Sequence, residues 1–377
     1  MEKLDDALAA AECSAYLLYA SSADADFRYL TGFQVSDPLL YLKKRGETGM
    51  LVVPQMEYER AATESSAIPV TRAESGFLKF LDEEKDPWRA LARTAVSLVG
   101  EGPVMVPKSF PYWLGKLLEE QTGVVADEKG AVRSMRAVKT SRELAAIRAA
   151  QQATETAMDI GISMIRRSTP KNGVLYLDDA PLTSGGVRTA MHTYLMERGY
   201  TARDTIVSCG KETAMPHRQG DGPLLEDEPV VIDLFPQHDA TGYHADMTRT
   251  VVKGEPSPEI AGMHAAVCEA VALGESLIAA GVEGSAVHNA VVDLFKEKGY
   301  ESENRGFIHS LGHGVGLEVH EGPSLSPSGA PLEAGNVVTV EPGLYYPGIG
   351  GIRVENMGAV TQSGFDRFTR YTRDLIL

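Results

Sequence analysis

The feature that most constrains this chain is a pair of carboxylates set where strands ought to be wholly apolar. Glu341 follows Val337-Val338-Thr339-Val340, and Glu355 follows Ile352-Arg353-Val354. Between them, a segment carrying Pro-Gly and Gly-Gly reads as a hairpin connection. With the tip at Pro347-Gly348-Ile349, Glu341 falls opposite Glu355. Like charges facing each other on paired strands are unfavourable, and ionised carboxylates turned toward a core are costly unless something positive lies between them. A cation between the two resolves both costs.

A second hairpin repeats the device. Pro229 to Phe235 is an apolar run interrupted by Asp233, and Gly242 to Val252 is its return strand, carrying Asp246. With the tip at Asp239-Ala240, Asp233 faces Asp246. Directly opposed residues have Cβ atoms about 4.5–5.5 Å apart, a spacing that suits carboxylates sharing ions about 3.5–4 Å from each other. Between the two hairpins lies HSLGHGVGLEVHEGP, with His309, His313 and His320, and upstream a loop carries His217 after Met215-Pro216. Gly312, Gly314 and Gly316 disfavour a helix there, so the four-residue spacing of His309 and His313 is not that of a helical zinc motif. Local spacing does not choose which histidine binds metal. Four carboxylates with one imidazole make an oxygen-rich, sulfur-free donor set suited to Mn²⁺, Co²⁺, Fe²⁺ or Zn²⁺, and four carboxylates neutralise two divalent ions. The chemistry expected is metal-assisted hydrolysis of an amide.

The rest of the chain supplies the frame. At 377 residues it exceeds one ordinary core, and two domains are expected. The first alternates strands (15–20, 49–54, 104–107) with helices (55–66, 87–99, 112–121) and a turn at Phe27 to Phe33, an α/β pattern. A basic link from Val132 to Lys139 leads to Thr140 and Glu143, which fit a capping box for a long alanine-rich helix ending near Ile165. Domains 1–133 and 134–377 follow. Asp178-Asp179 reads as a turn, and His192, His264 and His288 fall within helices away from the acidic strands. Cys13, Cys209 and Cys268 are far apart and odd in number, which fits reduced thiols. No window of eighteen apolar residues and no basic, apolar leader stand out, so neither a membrane span nor secretion is expected, and cytoplasmic residence is. A net charge of −16 argues against nucleic acid as a partner.

The ordered set ID, GYHADMTRT, HSLGHGVGLEVHEGP, VEPGLY and IRVEN resembles the creatinase and methionine-aminopeptidase superfamily, specifically its Xaa-Pro peptidases, the prolidase and aminopeptidase P group. YLTGF, LVVPQMEYERA and VKTSRELAAIRAA resemble the same group, so the likeness spans nearly the whole chain. It implies an α+β protein: a pita-bread catalytic domain of two pseudo-symmetric halves, preceded by an α/β creatinase-like domain. It implies that Asp233 binds one metal, that Asp246 and Glu355 bridge two, that His313 binds the second, and that Glu341 ligates it and acts as general base. His217 and His320 resemble the outer histidines that hold the substrate carbonyl and move protons. His309 would wall the proline pocket, with Tyr345 and Arg353 forming a relay beside the metals. The implied substrates are short peptides with proline in second position, the implied cofactors two divalent ions with manganese favoured over cobalt, zinc or iron, and the implied assembly a homodimer. A hydrolase of another small amide or ester, or a binding protein without catalysis, stands as the alternative. Two departures from the group's pattern are Phe235-Pro236 after Asp233, with a longer interval to Asp246, and extra length from Lys171 to Ser184.

Overall fold

Strand Ala15–Ala20 shows how the amino-terminal part is built. Tyr16 and Leu18 join one buried cluster, and Ala15 and Leu17 the other, so this strand is covered on both faces. It lies inside a six-stranded mixed sheet ordered Ile68–Thr71, Met50–Val53, Leu39–Lys44, Ala15–Ala20, Val104–Val106, Val124–Ala126. The computed structural model describes residues 1–377, in two units, Met1–Arg136 and Ala137–Leu377.

Two expectations for the first unit are corrected. Phe27 to Phe33 is not a turn but mostly helix, Ala25–Thr31, because the Asp24 carboxylate accepts the Phe27 N–H at 2.9 Å and Gly32, at φ 65°, closes the end. The basic link is also helical, Ala131–Ala137. Asp127 accepts the N–H groups of Gly130 and Ala131 at 2.9 and 2.6 Å, and Arg136 forms a buried ion pair with Asp26 at 2.6 Å.

The second unit begins with the helix Ser141–Arg167, whose capping box is complete: Thr140 accepts from Glu143 N–H, and Glu143 accepts from Thr140 N–H. Helices Ser141–Arg167 and Ser184–Met196 pack on a three-stranded antiparallel sheet, Ile206–Cys209, Pro229–Leu234 and Met247–Val252. Helices Pro258–Leu277 and Gly284–Glu297 then pack on a five-stranded sheet ordered Glu321–Leu325, Gly312–Gly314, Val337–Val340, Asn356–Val360, Phe365–Arg367. Two long helices on an antiparallel sheet, repeated, make the pita-bread arrangement of an α+β protein. The halves join where Glu355 N–H donates to the Thr248 carbonyl at 3.1 Å and Thr250 Oγ1 donates to the Arg353 carbonyl at 2.8 Å.

The extra length after Lys171 is a small antiparallel sheet, Thr169–Lys171, Val174–Leu177 and Ala180–Pro181. Asp178 and Asp179 form its tip with φ of 51° and 63°, a left-handed pair that short acidic residues tolerate. No apolar window stands out in the sequence, yet helix Pro258–Leu277 is, by length and composition alone, long and apolar enough for a span. It buries Ile260, Met263, Val267 and Val271 against the second sheet instead.

Candidate metal centre and active site

The hairpin of Glu341 and Glu355 has the expected register. Val340 pairs with Asn356 in one ladder and Gly343 with Arg353 in the next. The same register runs across a gap held by Glu341-Pro342 on one strand and Val354-Glu355 on the other, so the two carboxylates meet where backbone pairing lapses.

The other hairpin is shifted by two residues from expectation. Asp233 pairs with Thr248, and Asp246 lies just before the return strand. The tip is longer than assumed: Gly242 N–H donates to the His238 carbonyl and His238 N–H to the Tyr243 carbonyl, with Gly242 at φ 78°. A two-residue shift preserves the face, because strand side chains alternate. Asp246 and Asp233 therefore remain on one side as diagonal neighbours.

His313 reaches the same spot from Gly312–Gly314, and its flanking glycines are required. A Cβ on Gly312 would stand 2.1 Å from the Thr339 carbonyl oxygen, and one on Gly314 would stand 2.3 Å from that of Gly322. Backbone packed this closely sets the imidazole Nε2 3.1 Å from Glu341 Oε1 and 3.7 Å from Asp246 Oδ2. Ligand atoms of Asp246, His313 and Glu355 all lie within 4.8 Å of one another. Asp233 is held beside them by Arg353, 2.6 Å from its guanidinium.

Burial dominates the electrostatics. It raises Asp246 well above the usual carboxyl range, helped by the charges of Glu355, Asp233 and Glu341, and it raises Glu355 likewise, helped by Glu341 and Asp233. Burial alone would depress the His313 imidazole, but the hydrogen bond and charge of Glu341 overcome it and lift His313 to about 9. Burial would raise Glu341, yet His313 brings it down to about 2. Buried oxygens Asp233 Oδ1 and Glu355 Oε1 have no hydrogen-bond partner. Unpartnered buried carboxylate oxygens beside an imidazole and two protonation-prone acids fit a divalent cation as the missing partner.

The remaining expected residues surround this cluster. A cleft of about 700 Å³ is lined by His217, His309 and His320 as well as all five expected ligands and Arg353. Tyr345 stands just behind, its hydroxyl accepting from Arg353 Nη1 at 2.8 Å and lying 3.1 Å from His309 Nε2. The His320 ring packs edge-on against His313, with centroids 4.2 Å apart. Burial and the proximity of His313 keep His320 below its ordinary pKa, so it is neutral at pH 7.

Sequence reasoning missed two threonines. Thr248 donates to Glu355 Oε2 at 2.8 Å and accepts from Arg353 Nε at 3.2 Å, and Thr339 accepts the His313 N–H at 3.1 Å. Strand alternation was the available signal, since Thr248 shares a face with Asp246 and Thr339 with Glu341. Apolar Ile206, Phe235 and Val319 also line the cleft.

Buried acids converging with an imidazole in a roomy cleft define a metal-dependent hydrolase. Residues 145–362 match metallopeptidase family M24, and residues 1–138 match the creatinase/prolidase N-terminal domain. An Xaa-Pro dipeptidase of Pyrococcus horikoshii is 31% identical over 345 residues, 89% of this chain and 88% of its own length. The structure is similar to an Xaa-Pro dipeptidase from Bacillus anthracis, with a TM-score of 0.85 at 27% identity, covering 100% of this chain and 98% of that one. It is also similar to an X-Pro aminopeptidase from Thermotoga maritima, with a TM-score of 0.78 at 27% identity and 97% of each chain covered. The chain belongs to metallopeptidase family M24 and is a divalent-metal-dependent hydrolytic enzyme.

Proposed function

We propose that this enzyme hydrolyses the bond between an N-terminal residue and a following proline, using two divalent ions, manganese first among them. Convergence of Asp246, His313 and Glu355 within 4.8 Å at the floor of the cleft carries the reading. The Xaa-Pro peptidases similar in sequence and structure support the substrate, and an oxygen-rich donor set supports manganese. Asp233, Asp246, His313, Glu341 and Glu355 would hold the ions. What the ions supply when bound is Lewis acidity toward water and the scissile carbonyl.

The chain's own groups do the rest. Glu341, held as a carboxylate, takes the proton from the attacking water. His320, neutral and at the cleft wall, steadies the carbonyl oxygen, and His217, lining the same cleft, moves protons. As the C–N bond breaks, the proline nitrogen must gain a proton, which travels from the water by way of Glu341. Proline's nitrogen has no hydrogen for a general peptidase site to grip, so His309, braced by Tyr345, would shape a pocket for the ring instead. A homodimer belongs to the same reading and rests on family resemblance, and cytoplasmic residence is proposed alongside it.

Incubation with Xaa-Pro dipeptides, Xaa-Pro-containing tripeptides and Xaa-Ala controls, with added Mn²⁺ and with chelator, tests it. Cleavage before proline that chelator abolishes is expected. Inactivity on every proline substrate under every divalent metal would sink it.

A further inference from the structure

Lys139 and Glu321 form an ion pair that the chemistry above does not use. Lys139 Nζ lies 2.7 Å from Glu321 Oε1, and the two side chains are 1% and 6% exposed. Lys139 sits just before the capped start of helix Ser141–Arg167, and Glu321 directly follows His320. Both ends are anchored. Lys139 N–H donates to the Gly335 carbonyl at 2.9 Å, and Asn336 Nδ2 donates to the neighbouring Ala137 carbonyl at 2.9 Å. On the other side, Glu318 N–H donates to Glu321 Oε2 at 3.5 Å. A Cβ on Gly316 would stand 2.3 Å from Glu321 Oε1, so the acid fills the space that a side chain at 316 would take. His244 N–H, donating to the Gly316 carbonyl at 2.8 Å, ties the same loop to the Asp246 segment. The outer face of this loop presents Val319 and His320 to the cleft.

Burying two charges costs desolvation that their attraction seldom exceeds, so such a pair is a poor device for added stability and a better one for fixing a single conformation. We propose that Lys139, acting through Glu321, is a positioning residue that aims the His320 imidazole over His313. The inference rests on the role given to His320 above. A change of about 1 Å in a group that contacts the reacting carbonyl costs on the order of 100-fold in rate. Loss of Lys139 should therefore reach turnover before it reaches metal.

The test uses the metal-loaded full-length enzyme with Lys139→Met, Lys139→Arg, Glu321→Gln, His320→Ala and the double variant Lys139→Met/His320→Ala. Lys139→Met should lower kcat by about 10- to 100-fold with bound metal and KM nearly unchanged, and Lys139→Arg should restore most of the loss. In the His320→Ala background the same substitution should cost less than about threefold, because a positioning residue has nothing left to position. Equal losses in the two backgrounds would overturn the proposal, as would loss of metal in step with kcat. If Lys139→Met does not fold, Glu321→Gln, which keeps the shape and removes the charge, takes its place in the same cycle. Nitrogen-15 spectra of histidine-labelled protein give a reading independent of turnover. The His320 ring signals, assigned by their absence in His320→Ala, should shift or broaden in Lys139→Met, and unchanged signals would refute the positioning. Absence of wild-type cleavage before proline would count against the proposed substrate alone, since the spectra still report the pair.

Discussion

Loading the centre with metal should release protons, and the site names the groups that give them up. Burial, then the charges of Glu355, Asp233 and Glu341, favours the protonated form of Asp246, and burial with Glu341 and Asp233 does the same for Glu355. His313 is held near 9. A carboxylate or imidazole must be deprotonated to ligate, so His313, held near 9, gives up its proton as the ions enter, and the upward shifts of Asp246 and Glu355 act in the same direction. Near neutral pH, at least the His313 proton should leave per chain, and affinity should rise about tenfold per pH unit for each proton released. The stability of the metal-free protein should run the other way. An imidazole raised from 6.5 to about 9 corresponds to about 3 kcal/mol. That figure counts the His313–Glu341 pair once, since the fall of Glu341 to about 2 reflects the same contact. Because the folded pKa of His313 is raised, this stability is complete below 6.5 and is lost as pH climbs through about 9. The raised carboxyls of Asp246 and Glu355 lose theirs in the same direction, from the ordinary carboxyl range upward. Metal-free protein should therefore melt at falling temperature between about pH 6 and about pH 9, while the gap to metal-saturated protein widens. Calorimetric titration of Mn²⁺ in buffers of different ionisation enthalpy counts the protons. No net release, together with an affinity flat across neutral pH, would refute the assignment of these residues to the ions.

Other substitutions separate the roles within the cleft. His313→Ala should lose bound metal, measured by elemental analysis, whereas His320→Ala should keep its metal and lose on the order of 100-fold in kcat; the reverse pattern would exchange their assignments. Arg353→Leu leaves the largely buried Asp233 carboxylate without its 2.6 Å partner and should cost about 3–5 kcal/mol in urea unfolding. Tyr345→Phe, which removes one neutral hydroxyl, should cost about 1 kcal/mol, and equal costs would contradict this ordering. Thr248→Val keeps the shape but removes the hydroxyl shared by Glu355 and Arg353. A loss of about 1–2 kcal/mol is expected, with weaker metal binding in the same titration. Arg353, the guanidinium lining the cleft, is committed to Asp233 and Tyr345 rather than to a substrate carboxylate. Ala-Pro amide should accordingly give a higher kcat/KM than free Ala-Pro, and a clear preference for the free acid would show that another group supplies the charge.

What the sequence made legible depended on how local each determinant is. The long helix Ser141–Arg167 could be read because its alanine-rich body and the Thr140–Glu143 box lie within one stretch. Helix Ala25–Thr31 could not, since seven residues are too few to show a period, although Asp24 and Gly32 mark both of its ends. The Glu341–Glu355 register was recoverable because its tip is short and flagged by Pro-Gly. The Asp233–Asp246 register slipped by two because the tip closes through Gly242, and only strand alternation kept both acids on one face. The convergence of the acids was thus visible from burial cost alone, whereas the choice of His313 among three histidines needed the family motif. Contacts that join distant segments, such as Lys139 with Glu321 or Arg353 with Asp233, leave no periodic trace in the chain.

The continuous register across the lapse at Glu341 and Glu355 sets where this protein can change length. Residues added at the exposed tip, Pro347-Gly348-Ile349, lengthen a loop and leave both ladders paired as before. A single residue added between Val340 and Gly343 would instead put the two ladders out of step and turn one carboxylate away from its counterpart. The tip is thus the place to graft a peptide tag or a fluorophore, and the short span beside each glutamate is where length is held fixed.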